Sequence, residues 1–230
     1  MSASQNIEEN AGLSLKSAAL IAGFGLLVMA VCAPLAYMHF MGQGVVPDDP
    51  AATVANFQAN GTPYLIGVVL LFTTYVMDVI VAWALYWYLR PGQPAISQLV
   101  AWARLVYTAL AFIGLWASLS AYDLAIGGGA SDAALHAGVA AHLSAASTMG
   151  ALALCFFGVH LWFLSLAIWR SAHVPTWLAI VVGLAGASYV VLFIARYFAP
   201  GLDLGWVLLL ALGELVFMLW LLILGWRRQA

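Results

Sequence analysis

Six apolar runs, each long enough to cross a membrane as one helix, decide what this chain can become. They cover residues 17–40, 64–89, 98–122, 147–169, 176–198 and 204–226. At 1.5 Å of rise per residue, about 20 such residues span the hydrocarbon core of a bilayer. Composition agrees. Of 230 residues, 65% are hydrophobic and only 7% charged, where a soluble chain carries about 25% charged residues. A soluble domain of this length could not hide so much apolar surface. The formal net charge of −2 offers no basic face, so the lipid bilayer is an expected partner and nucleic acid is not. The expected fold is all-α: a six-helix transmembrane bundle forming a single domain over residues 1–230.

Residues 1–16 form a polar tail with Glu8, Glu9 and Lys16. The run that follows is longer than the apolar stretch of a signal peptide and lacks a small-residue cleavage site, so it reads as the first span. Cys32 and Cys155 both fall inside apolar runs, which fits buried core residues better than a disulfide framework. The joints carry turn chemistry, as in "RPGQP" at Arg90–Pro94 and "RSAHVP" at Arg170–Pro175. Basic residues set the expected orientation. With the N-terminus cytoplasmic, Lys16, Arg90, Arg104, Arg170, Arg227 and Arg228 fall toward the inside, and only Arg196 toward the outside. Asp48, Asp49, Asp123, Asp132 and Asp203 then face outward. An even number of spans puts both termini in the cytoplasm.

Two outer connectors have structure of their own. "DDPAATVANFQANG" begins with Asp49 as a helix cap and Pro50 at the first helical position, and stops at Asn60-Gly61. It predicts a short helix lying on the membrane. The Ala-rich stretch from Ser131 runs directly into the fourth apolar run. One helix from Ser131 to Arg170 would be about 60 Å long, twice the core thickness, so a bend or break is expected between Gly138 and Gly150.

Four ionisable side chains lie within the runs. Asp78, His160 and Glu214 precede the nearest inner arginines Arg90, Arg170 and Arg227 by 12, 10 and 13 residues. That is roughly 15–20 Å of helix, near the bilayer midplane. Arg104 lies nearer the inner face, about 9 Å into its span, with a stem able to reach up or snorkel down. Ionisable groups in membrane spans are expensive, usually face the bundle interior and mark pathways or sites. Each also has a plain structural role open to it. Asp78 and Arg104 could tie two helices together, His160 could bond one backbone carbonyl, and Glu214 could sit protonated. Thr74 and Tyr75 share a helix face with Asp78, Tyr107 and Thr108 follow Arg104, and Ser188 and Tyr189 lie at middle depth in the fifth run. These six are the expected lining of a polar interior.

Several chemistries fit poorly. A membrane haem needs paired histidines, but His39, His136, His142 and His173 sit at ends or connectors and only His160 is deep. The six-residue gap between His136 and His142 places them off a common helix face, against a zinc pair. A serine nucleophile would have to be Ser188 in "GLAGASYV", which lacks a convincing setting. Asp78, His160 and Glu214 form a weak alternative metal set of one histidine and two carboxylates. No cofactor is otherwise implied.

The order of these pieces is familiar. "DDPAATVANFQANGTPYLIGV" leads to the aspartate of the second run, and "ARLVY" carries Arg104. "FFGVHLWFLSLAIWRSAHVPTWLAIVVGLAG" joins the fourth and fifth runs, and "GELVFMLWLLILGW" closes the chain. From about Ser17 to Arg227 the chain resembles a bacterial integral-membrane family known as domain-of-unknown-function family 4386. The resemblance implies the six-span fold, a bacterial origin and polar positions at Asp78, Arg104, His160 and Glu214. It implies no activity. The expectation is a multi-pass protein of the bacterial cytoplasmic (inner) membrane with a polar central site, acting in transport or sensing of a small solute or proton. An intramembrane enzyme, metal-assisted or not, and a structural or partner-binding protein with an Asp78–Arg104 tie are the alternatives.

Overall fold

The structure, a computed structural model, describes residues 12–127 and 132–223, the side chain of Leu208 excepted. The polar tail up to Ala11, most of the glycine-rich outer turn and the segment bearing Trp226, Arg227 and Arg228 lie outside the described residues. Every regular element among the described residues is helical. Six helical segments are long and apolar enough to cross a membrane. Span one is Leu15–Gly44, span two Thr62–Leu89, span three Pro94–Gly127, span four Asp132–Trp169, span five Thr176–Phe198 and span six Gly205–Ile223.

The chain packs as two compact units. One comprises residues through Leu27, Asp78–Leu105 and everything from Cys155 onward; the other comprises Val28–Met77 and Val106–Leu154. Spans one to four contribute residues to both, whereas spans five and six belong to the first alone.

The second unit contains the connector helix Pro50–Asn60. The Asp49 carboxylate accepts the backbone N–H of Ala52 at 2.9 Å, and Pro50 opens the first turn, as the sequence predicts. Its Phe57 ring lies 4.5 Å from that of Tyr64 and 5.5 Å from that of Tyr122. Gln58 donates to the carbonyl of Ala125 at 2.9 Å, and the Tyr64 hydroxyl to that of Ser118 at 3.1 Å. The connector is thus fastened to spans two and three by an aromatic cluster and by the Gln58 hydrogen bond. Span one departs from regular α-geometry here. Pro34 is followed by a π-helical run over Leu35–Met41. Proline lacks an N–H and its ring displaces the carbonyl four residues back, which loosens the ladder.

Of the bend or break expected in span four, the break is absent: Asp132–Trp169 is one uninterrupted α-helix through both Gly138 and Gly150. Alanine has the highest helix propensity, and each interior glycine costs only about 1 kcal/mol against it. The helix tolerates Gly138 and Gly150 without parting. Gly138 has a packing reason, since a Cβ there would stand 2.6 Å from Leu124 Cδ2.

In the first unit, the joint between spans two and three is a tight turn. Gln93 N–H bonds the carbonyl of Arg90 at 3.0 Å, Pro91 takes the first corner, and Gly92 has φ +79°. A positive φ at the second corner is what a type II turn requires and what glycine supplies. Three glycines set helix separations. A Cβ on Gly158 would stand 2.6 Å from the Gly186 carbonyl oxygen, one on Gly186 2.7 Å from that of Gly158, and one on Gly213 2.5 Å from that of Val181. Spans four and five, and five and six, therefore touch backbone to backbone, as small residues allow in membrane bundles.

Candidate functional site

Span six holds the least regular geometry of the first unit, and the site begins there. Gly205–Leu212 is wound as a 3₁₀ helix, and Gly213–Ile223 continues it as an α-helix. Glu214 therefore lies where the 3₁₀ winding passes into α-helix, next to Gly213, whose N–H is already bonded to the Leu210 carbonyl. Gly213 beneath it is seated on the Val181 carbonyl of span five, which fixes where the carboxyl can reach.

It reaches Arg104. The guanidinium is fully buried and does not snorkel. Its Nη1 donates to Glu214 Oε1 at 3.0 Å, while its Nε donates to Asp78 Oδ1 at 2.8 Å. The side chain of Asp78 is 0% exposed and that of Glu214 19%. The same Nη1 lies 3.3 Å from Nε2 of His160, itself fully buried. His160 Nδ1 lies 3.0 Å from the carbonyl oxygen of Val100. A carbonyl only accepts, so Nδ1 carries the proton. Nε2 of the neutral ring is then an acceptor facing the guanidinium donor. Spans two, three, four and six each supply one ionisable group, and the cation from span three meets the other three.

Aromatic rings close the cluster. The Phe157 ring lies under the guanidinium with Cζ 5.4 Å from its centroid, within cation–π range. The same ring stacks on His160 at 5.5 Å and meets Tyr189 edge-on at 5.4 Å. Tyr189 lies within electrostatic range of both Glu214 and Arg104. Phe157 was not anticipated from the sequence. The available signal was its place in "FFGVHLW", where it precedes His160 by one helical turn.

The expected lining residues divide. Ser188 and Tyr189 belong to the first unit, with the cluster; Thr74, Tyr75, Tyr107 and Thr108 belong to the second. Thr74 and Ser188 bond their own helices, at the carbonyls of Leu70 (3.0 Å) and Ala185 (2.7 Å). The Tyr75 hydroxyl lies 3.3 Å from that of Tyr37. Tyr107 and Thr108 are buried. Asp78, His160 and Glu214 are also the residues of the weak metal alternative. Among the described residues no three His, Cys, Asp or Glu groups are placed to hold a metal ion. These three instead point at the Arg104 guanidinium, a fixed positive charge standing where an ion would sit.

Six membrane-length helices, four of which each give one residue to a buried charge cluster, define a helical protein with the make-up of a multi-pass membrane protein. The chain belongs to the family described as domain of unknown function DUF4386, whose model matches residues 21–225. It is also similar to an uncharacterised protein of Archaeoglobus fulgidus, 28% identical over 169 residues, which covers 74% of this chain and 90% of that protein. No solved structure matches it.

Proposed function

We propose that this is a proton-responsive membrane protein whose working group is Glu214, held by Arg104, in the transport or sensing of a proton or small solute. The supporting observation is that one guanidinium bonds two carboxylates from different helices. Asp78 and Arg104 balance each other. Glu214 adds one further ionisable group, and a buried site holds an unbalanced charge only at high cost. A proton on Glu214 removes the imbalance. The carboxylates are unequal in access. Each is bound to the guanidinium through one oxygen, but Asp78 is sealed whereas Glu214 is partly exposed. Asp78 therefore acts as the permanent counter-ion and Glu214 as the exchanging arm. His160 holds Nη1 in place from the far side whether or not Glu214 is charged.

On this reading the protein lies in the bacterial cytoplasmic membrane with both termini inside, as the asymmetry of basic residues favours. Proton uptake tests it. A lightly buffered sample of detergent-solubilised protein is acidified and its uptake followed with an indicator dye. Wild type takes up one more proton per chain than Glu214→Gln. Equal uptake by the two overturns the reading. That outcome favours the second reading, a structural tie, which rests on the Asp78–Arg104 pair being 2.8 Å long and fully buried.

A further inference from the structure

The 3₁₀ winding of span six is unusual for its length and sequence. It covers eight residues, Gly205–Leu212, reading GWVLLLAL. Runs beyond 3–4 residues are uncommon because 3₁₀ hydrogen bonds are poorer. Leucine and alanine are strong α-formers, so this segment would wind as α if its ends were free. They are not. At one end, Leu202 N–H bonds the carbonyl of Ala199 in a tight turn off span five. At the other, Gly213 is seated on Val181 and Glu214 is bonded to Arg104. A 3₁₀ helix rises about 2.0 Å per residue against 1.5 Å for α, so eight residues are longer by about 4 Å as 3₁₀. They also differ in rotation by about 160°. The segment is stretched between its fastenings.

We propose that Glu214 protonation releases this stretch: the 3₁₀ segment rewinds as α when the bond to Arg104 is given up, shortening span six by about 4 Å. The inference rests on Glu214 being the exchanging group and adds what its exchange does. A shift of that size exceeds the 3.0 Å reach of the Arg104–Glu214 bond, so the two states exclude each other. The groups facing Glu214 are few. Span three brings Arg104, which carries Asp78 of span two and His160 of span four with it. Span five brings the Tyr189 phenol. Span one, packed through Gly23 against Leu222, has no ionisable side chain between Ser17 and Leu27. Arg104 is thus the one permanent charge bonded to Glu214 among the described residues. The change also reaches the surface. Leu204 and Gly205, where the 3₁₀ run begins, wall a cleft of about 190 Å³ together with Leu192 and Arg196 of span five. Rewinding moves one wall against the other.

Paired spin labels at the two ends of span six read this directly. Leu202 and Leu219 are 61% and 50% exposed and suit Leu202→Cys and Leu219→Cys, in a background with Cys32→Ala and Cys155→Ala. Dipolar distances are measured on the full chain in lipid nanodiscs at pH 8 and pH 5, with proton uptake counted on the same labelled protein. The expected result is a distance shorter by about 4 Å at pH 5, and the short distance at both pH values in Glu214→Gln. Superimposable distances at the two pH values, with the extra proton still counted, overturn the rewinding and leave Glu214 as the exchanging group. Loss of the extra proton as well overturns both. A pH-dependent shift that persists in Glu214→Gln assigns the motion to another group and also overturns the proposal. The wild-type comparison stands alone if Glu214→Gln does not fold.

Discussion

Arg104 is held by groups of three kinds: a sealed carboxylate, a partly exposed carboxylate and a neutral imidazole whose tautomer is set by a backbone carbonyl. Serving all of them takes the planar fork of a guanidinium, since Nε faces Asp78 while Nη1 faces Glu214 and His160. An ammonium is a compact point charge and cannot reproduce that fork. Arg104→Lys keeps the charge but gives up the fork, and is therefore expected to lose about 1.5–3 kcal/mol of unfolding free energy, the range for a hydrogen bond to a charged group. Denaturant unfolding in mixed micelles measures it. A variant within about 0.5 kcal/mol of wild type, as for an ordinary surface substitution, would contradict the geometry. The four ionisable residues were legible in the sequence because charge inside an apolar run is costly enough to need a partner. An Asp78–Arg104 tie and a backbone carbonyl for His160 were legible as options; that Glu214 and His160 also meet Arg104 was not. The contacts join helices far apart in the chain, and Phe157 looks like any other apolar residue until its ring is found under the guanidinium.

The helices meet through glycines whose roles differ although their sequence settings look alike. Gly158→Ala would push a methyl group to 2.6 Å from the Gly186 carbonyl and 2.9 Å from Val190 Cγ2. Overpacking of this kind costs about 1–3 kcal/mol. Gly150, eight positions earlier on the same helix, has open space where a methyl group would go, with nothing within 4 Å. Gly150→Ala should instead stabilise by about 0.5–1 kcal/mol through helix propensity. Thermal unfolding of the two variants should move in opposite directions; shifts of the same sign would contradict the close crossing of spans four and five. The loop between those spans makes a second prediction. Ser171 donates to Nδ1 of His173, whose Nε2–H donates to the Tyr88 carbonyl at 3.1 Å, with the Tyr88 ring edge-on at 5.0 Å. Burial lowers the His173 pKa below its ordinary 6.5, with the bond to Tyr88 opposing the shift. The unfolded chain then binds a proton that the folded one does not, so stability falls as pH drops below about 6.5. His173→Gln should flatten that acid limb; an unchanged slope would assign it elsewhere. Helix count and the capped connector followed from apolar length and cap residues. The 3₁₀ and π runs did not, because GWVLLLAL reads as good α-helix and nothing in its sequence calls for tighter winding.

For the molecule as a whole, the described residues hold six membrane-length helices and, within one unit, a charge cluster drawn from four of them. The family is one of unknown function, so membership adds no activity. Everything functional therefore turns on whether Glu214 exchanges a proton while Asp78 does not. Infrared difference spectroscopy between pH 8 and pH 5, on protein reconstituted in lipid, reads the two carboxyls separately through their C=O stretch. The account predicts a protonated-carboxyl band on acidification that vanishes in Glu214→Gln and survives in Asp78→Asn. A band lost in Asp78→Asn and retained in Glu214→Gln, or the same spectrum in all three proteins, would contradict it.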